Sequence, residues 1–306
     1  MKILVTGGAG FIASHIVDAY IQHGHEVVVL DDLSSGKREN VNTSATFIHG
    51  KIEDSLLLSK IKEDHGEFDI INHHAAQMSV AYSVRNPKTD AETNIFGIIN
   101  LLEIFGPSCK KFIFSSSGGT VYGDHSLPRV EEDKTDPLSP YGITKLAGEK
   151  YINYYSTRFG FEPLILRYAN VYGPRQNPHG EAGVVAIFIK KILAGEEAVI
   201  NGDGMYLRDY VHVNDVVNAN VIGITPGVKG VYNVSTGVTL DVNEIWEEIS
   251  TNQLLENYTK NMRHGEHRDG DIRYSCCIPG DIHEWKPNIM FHDGISDTIL
   301  WFIENN

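Results

Sequence analysis

The sequence predicts an α/β protein built on a doubly wound parallel sheet, with a smaller C-terminal lobe. Three observations carry this. Short apolar runs alternate with helical stretches through the first half, a glycine cluster separates the first run from the first helix, and the alternation fades beyond residue 168. The chain of 306 residues is longer than the roughly 100–200 residues of one ordinary domain.

Residues 2–6 read as a buried parallel strand, 11–23 as a helix with Phe11, Ile12, Ile16 and Tyr20 on one side, and 26–30 as a second strand, which together make a βαβ unit. The pattern repeats through Thr46-Phe47-Ile48, a helical stretch at 54–62, a strand at 69–72, a long helix over 88–105 and a strand at 111–116. A helix over 139–159 then leads to a strand at 162–167. Further on, 171–183 is rich in Gly and Pro and reads as a loop, helices are expected at 184–194, 214–223 and 242–255, and 261–281 is a polar stretch. The implied organisation is one domain over 1–168, to which 205–235 returns, and a second lobe over 169–306. There is no fixed-period repeat, and the charge run Glu131-Glu132-Asp133 reads as a solvated loop.

Composition narrows the classes. Apolar residues are 42% and charged residues 22% of the chain, as in ordinary globular proteins. Forty acidic against 26 basic residues give a net charge of −14, which argues against binding to nucleic acid or to an anionic membrane. Three cysteines, Cys109, Cys276 and Cys277, make no disulfide framework, no apolar run reaches membrane-spanning length, and the N-terminus does not read as a signal peptide, so the cytoplasm is expected.

Gly7-Gly8-Ala9-Gly10-Phe11-Ile12-Ala13 lies between the first strand and helix, where glycines allow a tight turn and a close approach to a pyrophosphate, and the helix N-terminus offers N–H donors. Asp31 and Asp32 end the second strand roughly twenty residues on, where a carboxylate accepts from ribose hydroxyls and repels a 2′-phosphate. The combination predicts a Rossmann-type site for NAD rather than NADP. Tyr141-Gly142-Ile143-Thr144-Lys145 follows Pro140 and opens a helix, so the phenol and ammonium lie one turn apart on one face. A nearby ammonium lowers a phenol pKa and makes it a usable base. His264 and His267 read as solvated, with no ligand set that completes a metal site, and His73-His74 as packing beside the cleft.

In combination TGGAGFIAS at the N-terminus, the DDLSSG turn, HHAAQ at 73–77, SSSGGTVYG at 115–123, YGITK, RYANVYGPRQ at 167–176 and RDYVHVNDVV at 208–217 resemble an extended short-chain dehydrogenase/reductase. Within that group the chain is similar to nucleotide-sugar epimerases of the UDP-glucose 4-epimerase type. The resemblance implies NAD as cofactor, a UDP-sugar substrate and a homodimer. It implies that Gly7, Gly10, Phe11 and Ile12 line the pyrophosphate, Asp31 and Asp32 the ribose, Ile52 the adenine, Ala75 and Asn94 the cofactor cleft, and Tyr141 and Lys145 the nicotinamide end. It also assigns Asn170, Arg208, Arg268 and Asp271 to the nucleotide diphosphate and its ribose, and Ser275 to the space beside C2 of the hexose.

Two departures stand out. Lys51 replaces the usual carboxylate beside the adenine amine. Relatives place Ser or Thr four residues before the Tyr of VYG, which here is Gly118; alignment from the strand side makes Ser117 the catalytic hydroxyl, with Thr120 or a water as alternatives. Sister 4,6-dehydratases carry an Asp-Glu pair, and decarboxylases a Glu, in the segment that reads Gly118-Gly119 here. Epimerisation is therefore the expected reaction, with those two chemistries and a non-catalytic NAD-sensing regulator as the alternatives.

Overall fold

The computed structural model describes residues 1–178, 183–267 and 272–305. Six strands of the first half, β1 (Lys2–Thr6), β2 (Glu26–Asp31), β3 (Thr46–His49), β4 (Ile70–His73), β5 (Lys111–Ser117) and β6 (Glu162–Tyr168), join a later strand, β10 (Gly230–Val234), in one sheet. Its order is β10-β6-β5-β4-β1-β2-β3, and every pairing is parallel. The order reverses at β1, so a crevice opens at the carboxyl ends of β1 and β4, which is where such sheets bind ligands.

The apolar runs of the central strands follow from burial on both faces. Ile3 and Val5 pack into one layer and Leu4 into the opposite one, all fully buried, each burial stabilising by about 1.5–3 kcal/mol. The first layer is closed by α1 (Phe11–Gln22), through Ala13, Ile16, Val17 and Tyr20, together with α9 (Val213–Gly223). The second is closed by α2 (Ser55–His65), capped by Asp54 accepting from the Leu56 and Leu57 amides, and by the long helical stretch over 87–105.

That stretch differs from the single helix expected at 88–105. A short helix, α3 (Val80–Arg85), precedes it, and its body is α4 (Pro87–Ala91), a π turn over Glu92–Phe96, and α5 (Gly97–Phe105). The apolar periodicity that signals a helix cannot report an extra residue in one turn, and such π turns gather at functional sites. α6 (Gly118–Val121) is a single turn after β5, and α7 (Pro140–Phe159) starts with Ser139 accepting from the Gly142 amide and ends at Gly160 in the left-handed conformation, φ 85°.

In the remaining chain, β7 (Asn170–Tyr172) occupies the start of the expected loop. α8 (Val184–Leu193), β8 (Ala198–Asn201) and β9 (Leu207–His212) follow; β9 pairs with β7, with β11 (Thr239–Leu240) and with β13 (Tyr274–Ser275), outside the large sheet. Of the stretch 205–235, α9 and β10 are the parts that join the large sheet and its layer. α10 (Val242–Ser250) stops short of the expected 255, ending before a 3₁₀ turn at Gln253–Leu255. The polar stretch 261–281 holds β12 (Met262–Gly265), paired with β8, as well as β13. α8, α10 and α11 (Phe291–Glu304) enclose a separate core that includes Phe188, Ile189, Ile245, Ile249 and Phe302.

Candidate active site

The glycine loop leaves β1 at the crevice. Gly7 has φ +73°, and a Cβ there would lie 2.6 Å from the Ala75 amide nitrogen, so only glycine fits between the two strand ends. Gly10 is the N-cap of α1 with no side chain capping it, so the first amides of the helix, Phe11 and Ile12 among them, have no side-chain partner at that cap. Asp31 is buried, and its two carboxylate oxygens accept from the Ala9 amide (2.9 Å) and the Leu33 amide (2.8 Å). It thus ties the loop to the end of β2. Asp32 accepts from the Ser34 amide. An uncapped helix N-terminus and a glycine loop supply the donors, and a carboxylate at the next strand end the acceptor, that a dinucleotide requires, so these residues fit NAD.

Tyr141 stands in the first turn of α7, its amide donating to Ser83 Oγ at 3.1 Å. Gly148, two turns on, lets α7 approach the sheet, since a Cβ there would meet Phe114 at 2.9 Å. That closeness brings Lys145 Nζ to the Ser115 carbonyl at 2.9 Å, with Nζ 5.8 Å from the Tyr141 ring centroid. Burial lowers Lys145 to about 8. Burial also pushes the Tyr141 phenol above its usual range, with Asp90 adding to the rise, while a hydrogen bond from Ser117 eases ionisation. The expectation that the ammonium brings the phenol toward neutrality is therefore not met by the protein's own groups. Burial outweighs the help that the protein's own side chains give the phenolate.

Ser117 is the hydroxyl that meets Tyr141. Gly118 is buried, with its side-chain position against Cys277 Sγ (3.1 Å) and the backbone of Arg167 and Tyr168; Gly119 is the residue that faces the gap. A Cβ on Gly119 would lie 3.9 Å from Ser117 Oγ and 4.0 Å from Ser275 Oγ, so both hydroxyls border one space. β13 aligns Ser275 with Arg208 of β9, whose guanidinium donates to the Leu207 carbonyl at 2.9 Å and lies over the Tyr206 ring. Asn170 donates to the Asp209 carbonyl at 3.3 Å beside it. Thr120 Oγ1 is buried without a hydrogen-bond partner in the turn after Ser117.

Residues 3–235 match the family described as NAD dependent epimerase/dehydratase. The chain belongs to that family. UDP-glucose 4-epimerase of Thermotoga maritima, solved with UDP-glucose, is 44% identical with TM-score 0.94 over 100% of this chain and 99% of its own. The Thermus thermophilus UDP-glucose 4-epimerase, solved in complex with NAD, is 37% identical, TM-score 0.93, covering 99% of each chain. A UDP-N-acetylglucosamine 4-epimerase from Methanobrevibacter ruminantium M1, in complex with UDP-N-acetylmuramic acid, is 36% identical, TM-score 0.90, over 100% of this chain and 99% of that one.

In this epimerase/dehydratase chain several of the sequence-derived candidates are engaged by the protein itself. Asn94, buried in the π turn, accepts from the Gln77 amide (2.9 Å) and donates to the Gln77 carbonyl (2.9 Å), Asp90 (3.1 Å) and Thr144 (3.2 Å), so it holds the loop that follows Ala75. Ile52 is buried over Gly97, and Lys51 beside it is exposed. His73 meets Thr6 Oγ1 at 2.7 Å and stacks on Phe114; His74 meets the Tyr168 hydroxyl at 3.0 Å. Burial keeps both rings neutral, His74 falling to about 3. His264 reaches the Gly202 carbonyl and His267 the Tyr206 hydroxyl. Arg268 and Asp271 lie outside the described residues. Asp90, Gln77 and Thr144 went unnoticed in the sequence, although Gln77 ends the HHAAQ run and Thr144 stands inside the YGITK motif.

Proposed function

We propose that this chain is an NAD-dependent UDP-hexose 4-epimerase acting through a 4-keto sugar. The observation that carries the reading is the space bordered by Ser117 and Ser275, with Tyr141 beside Ser117 and Arg208 the strand partner of Ser275. Residues 1–168, with α9 and β10 added from later in the chain, form the NAD-binding domain, and the rest of 169–306 forms the nucleotide-sugar lobe. Gly7, Gly10, Phe11 and Ile12 hold the pyrophosphate, Asp31 and Asp32 the ribose, and Ile52, Ala75 and Asn94 shape the cleft. NAD in that cleft supplies the hydride acceptor for C4 of the sugar and a positively charged ring beside the phenol.

Tyr141 takes the proton of the sugar O4 and returns it. Ser117 holds the O4 side by donating to the Tyr141 oxygen, and Lys145 keeps positive charge next to the phenol and reaches the nicotinamide ribose. Arg208 and Arg268 neutralise the diphosphate that a net charge of −14 would otherwise repel. Asn170 and Asp271 orient the uridine nucleotide. The sugar is gripped loosely because the binding energy lies on the nucleotide, which leaves the keto sugar free to present its other face. No carboxylate stands at Gly118-Gly119 to remove water or carbon dioxide from that keto sugar, which favours epimerisation over dehydration and decarboxylation. A small, buried Ser275 leaves room at C2, so N-acetylated hexoses are accepted beside the plain ones.

Two identical chains pair through the outer face of α7 and the helical stretch over 87–105. Phe96, Ile143 and Tyr154 are exposed there at 61%, 54% and 59%, and Tyr151 of α7 is exposed as well. Sedimentation of the purified chain reads this directly, and a monomer at micromolar concentration would count against the pairing. Three buried, unpaired thiols suit the reducing cytoplasm. Incubation with UDP-galactose should yield UDP-glucose to a stable equilibrium without added cofactor. Formation of a 4-keto-6-deoxy sugar or a pentose in its place would identify one of the sister reactions.

A further inference from the structure

Asp90 of α4 is completely buried. Its Oδ1 accepts from Gln77 Nε2 at 2.7 Å and Asn94 Nδ2 at 3.1 Å, and its Oδ2 from Thr144 Oγ1 at 2.9 Å. All three donors are neutral. Three donors aimed at one carboxyl group suit an ionised, acceptor-only oxygen pair. A buried charge is costly unless another charge answers it, and the bond to Thr144 places this one against the turn of α7 that carries Tyr141 and Lys145, both of which feel its charge.

The other groups packed around that pair do not answer the Lys145 charge. His73 and His74, at the end of β4, are kept neutral by burial. Glu149, one turn along α7, is taken up by Arg167 in a two-pronged pair at 2.9 and 2.7 Å. β5 offers the Ser115 carbonyl and the Phe114 ring, neither of which carries a charge. Arg85 of α3, and Lys88 and Glu92 on Asp90's own helical stretch, are exposed. Among the described residues Asp90 is the carboxylate left to balance the buried ammonium.

We propose that Asp90 is a positioning residue that acts as the fixed counter-charge of the Tyr141–Lys145 pair and sets the pH range in which that pair has lost one proton and kept the other. Its charge acts through space, and the donors Thr144, Gln77 and Asn94 together hold the carboxylate beside the turn of α7 that carries both side chains. A negative charge facing both groups makes each hold its proton more tightly. Removing that charge therefore moves both ionisations to lower pH.

Asp90→Asn tests this with little change of shape. The amide oxygen keeps the bonds from Gln77 and Asn94, and the amide nitrogen donates to Thr144 Oγ1, whose own proton then turns from position 90 to the Tyr141 carbonyl, 3.0 Å away. The kinetic arm rests on the 4-epimerase reading and follows kcat against pH for UDP-galactose conversion by the NAD-loaded protein. The second arm needs no turnover: it follows the ¹³Cε resonance of Lys145 through a pH titration, assigned by its disappearance in Lys145→Met. In Asp90→Asn both limbs of the kcat profile, and the Lys145 titration, should move to lower pH by about one unit, with NAD retained. Limbs and resonance that stay in place while kcat falls would overturn the proposal in favour of a structural role. Thr144→Val keeps the carboxylate and should leave both limbs where they are; the same downward shift in that variant would assign the effect to packing and overturn the proposal too. If the parent protein turned over no UDP-hexose, the reaction reading would fail by itself, and an unmoved Lys145 resonance in Asp90→Asn would still decide against Asp90.

Discussion

Replacing Lys145 with Met removes a charge that burial penalises, and the size of the penalty can be worked out. Burial lowers the ammonium to about 8, whereas an unfolded chain holds the same proton up to ~10.4. Between those values the unfolded state binds the proton and the folded state does not, so stability rises with pH there by about 1.4 kcal/mol per pH unit. The whole window is worth about 3 kcal/mol, missing below it and fully present above it, and about 2 kcal/mol of that returns by about pH 9.5. The Met variant has no such dependence. The Ser115 carbonyl loses its 2.9 Å donor in the variant, which costs about 1 kcal/mol. Near neutral pH the variant should therefore be more stable than the parent by about 2 kcal/mol, and that advantage should shrink by about 2 kcal/mol on going to about pH 9.5. Urea unfolding of nucleotide-stripped protein at the two pH values, at equal ionic strength, measures both quantities. An advantage that does not change with pH would refute the claim that burial of this ammonium opposes folding.

Tyr141→Phe should reduce turnover by about 10²–10⁴-fold with little loss of UDP-sugar affinity, read as kcat against binding by calorimetry. Ser117→Ala should cost more turnover than Thr120→Ala, because Ser117 meets the phenol; the reverse order would move the hydroxyl role to the unpartnered Thr120. Gly7→Ala forces a side chain onto the Ala75 amide at a positive φ, and the protein should purify without the NAD that the parent releases on denaturation. Ser275→Tyr should lower the ratio of kcat/KM for UDP-N-acetylglucosamine over UDP-glucose by about tenfold or more, and an unchanged ratio would mean that Ser275 is not the gate.

Most of the large sheet was legible because its strands are buried on both faces and read as unbroken apolar runs, as in Ile3-Leu4-Val5 and Val27-Val28-Val29-Leu30. The glycine loop and the opening of α7 at Ser139-Pro140 were legible because cap and turn chemistry is local. The second lobe was harder to read. β11 and β13 are two residues long and are held by pairing with β9, a contact between distant segments that leaves no periodic trace. The buried face of α7 carries Thr144, Lys145 and Glu149, polar residues that mark a solvated surface when read by hydropathy alone. Asp90 was missed for the same reason, since a single carboxylate in a short polar helix reads as exposed until its three donors are seen. The shift from Gly118 to Gly119 as the residue facing Ser117 and Ser275 depends on how one turn of helix follows β5, which spacing does not reveal.

In 4-epimerisation through a 4-keto sugar the C4 hydrogen leaves the sugar and returns to the same carbon within one bound cycle. The direct test is conversion of UDP-galactose deuterated at C4, followed by NMR of the product. The expected product is UDP-glucose that retains deuterium at C4 and carries no solvent hydrogen there. Deuterium lost to water, or UDP-galactose left unconverted by NAD-loaded protein, would contradict it.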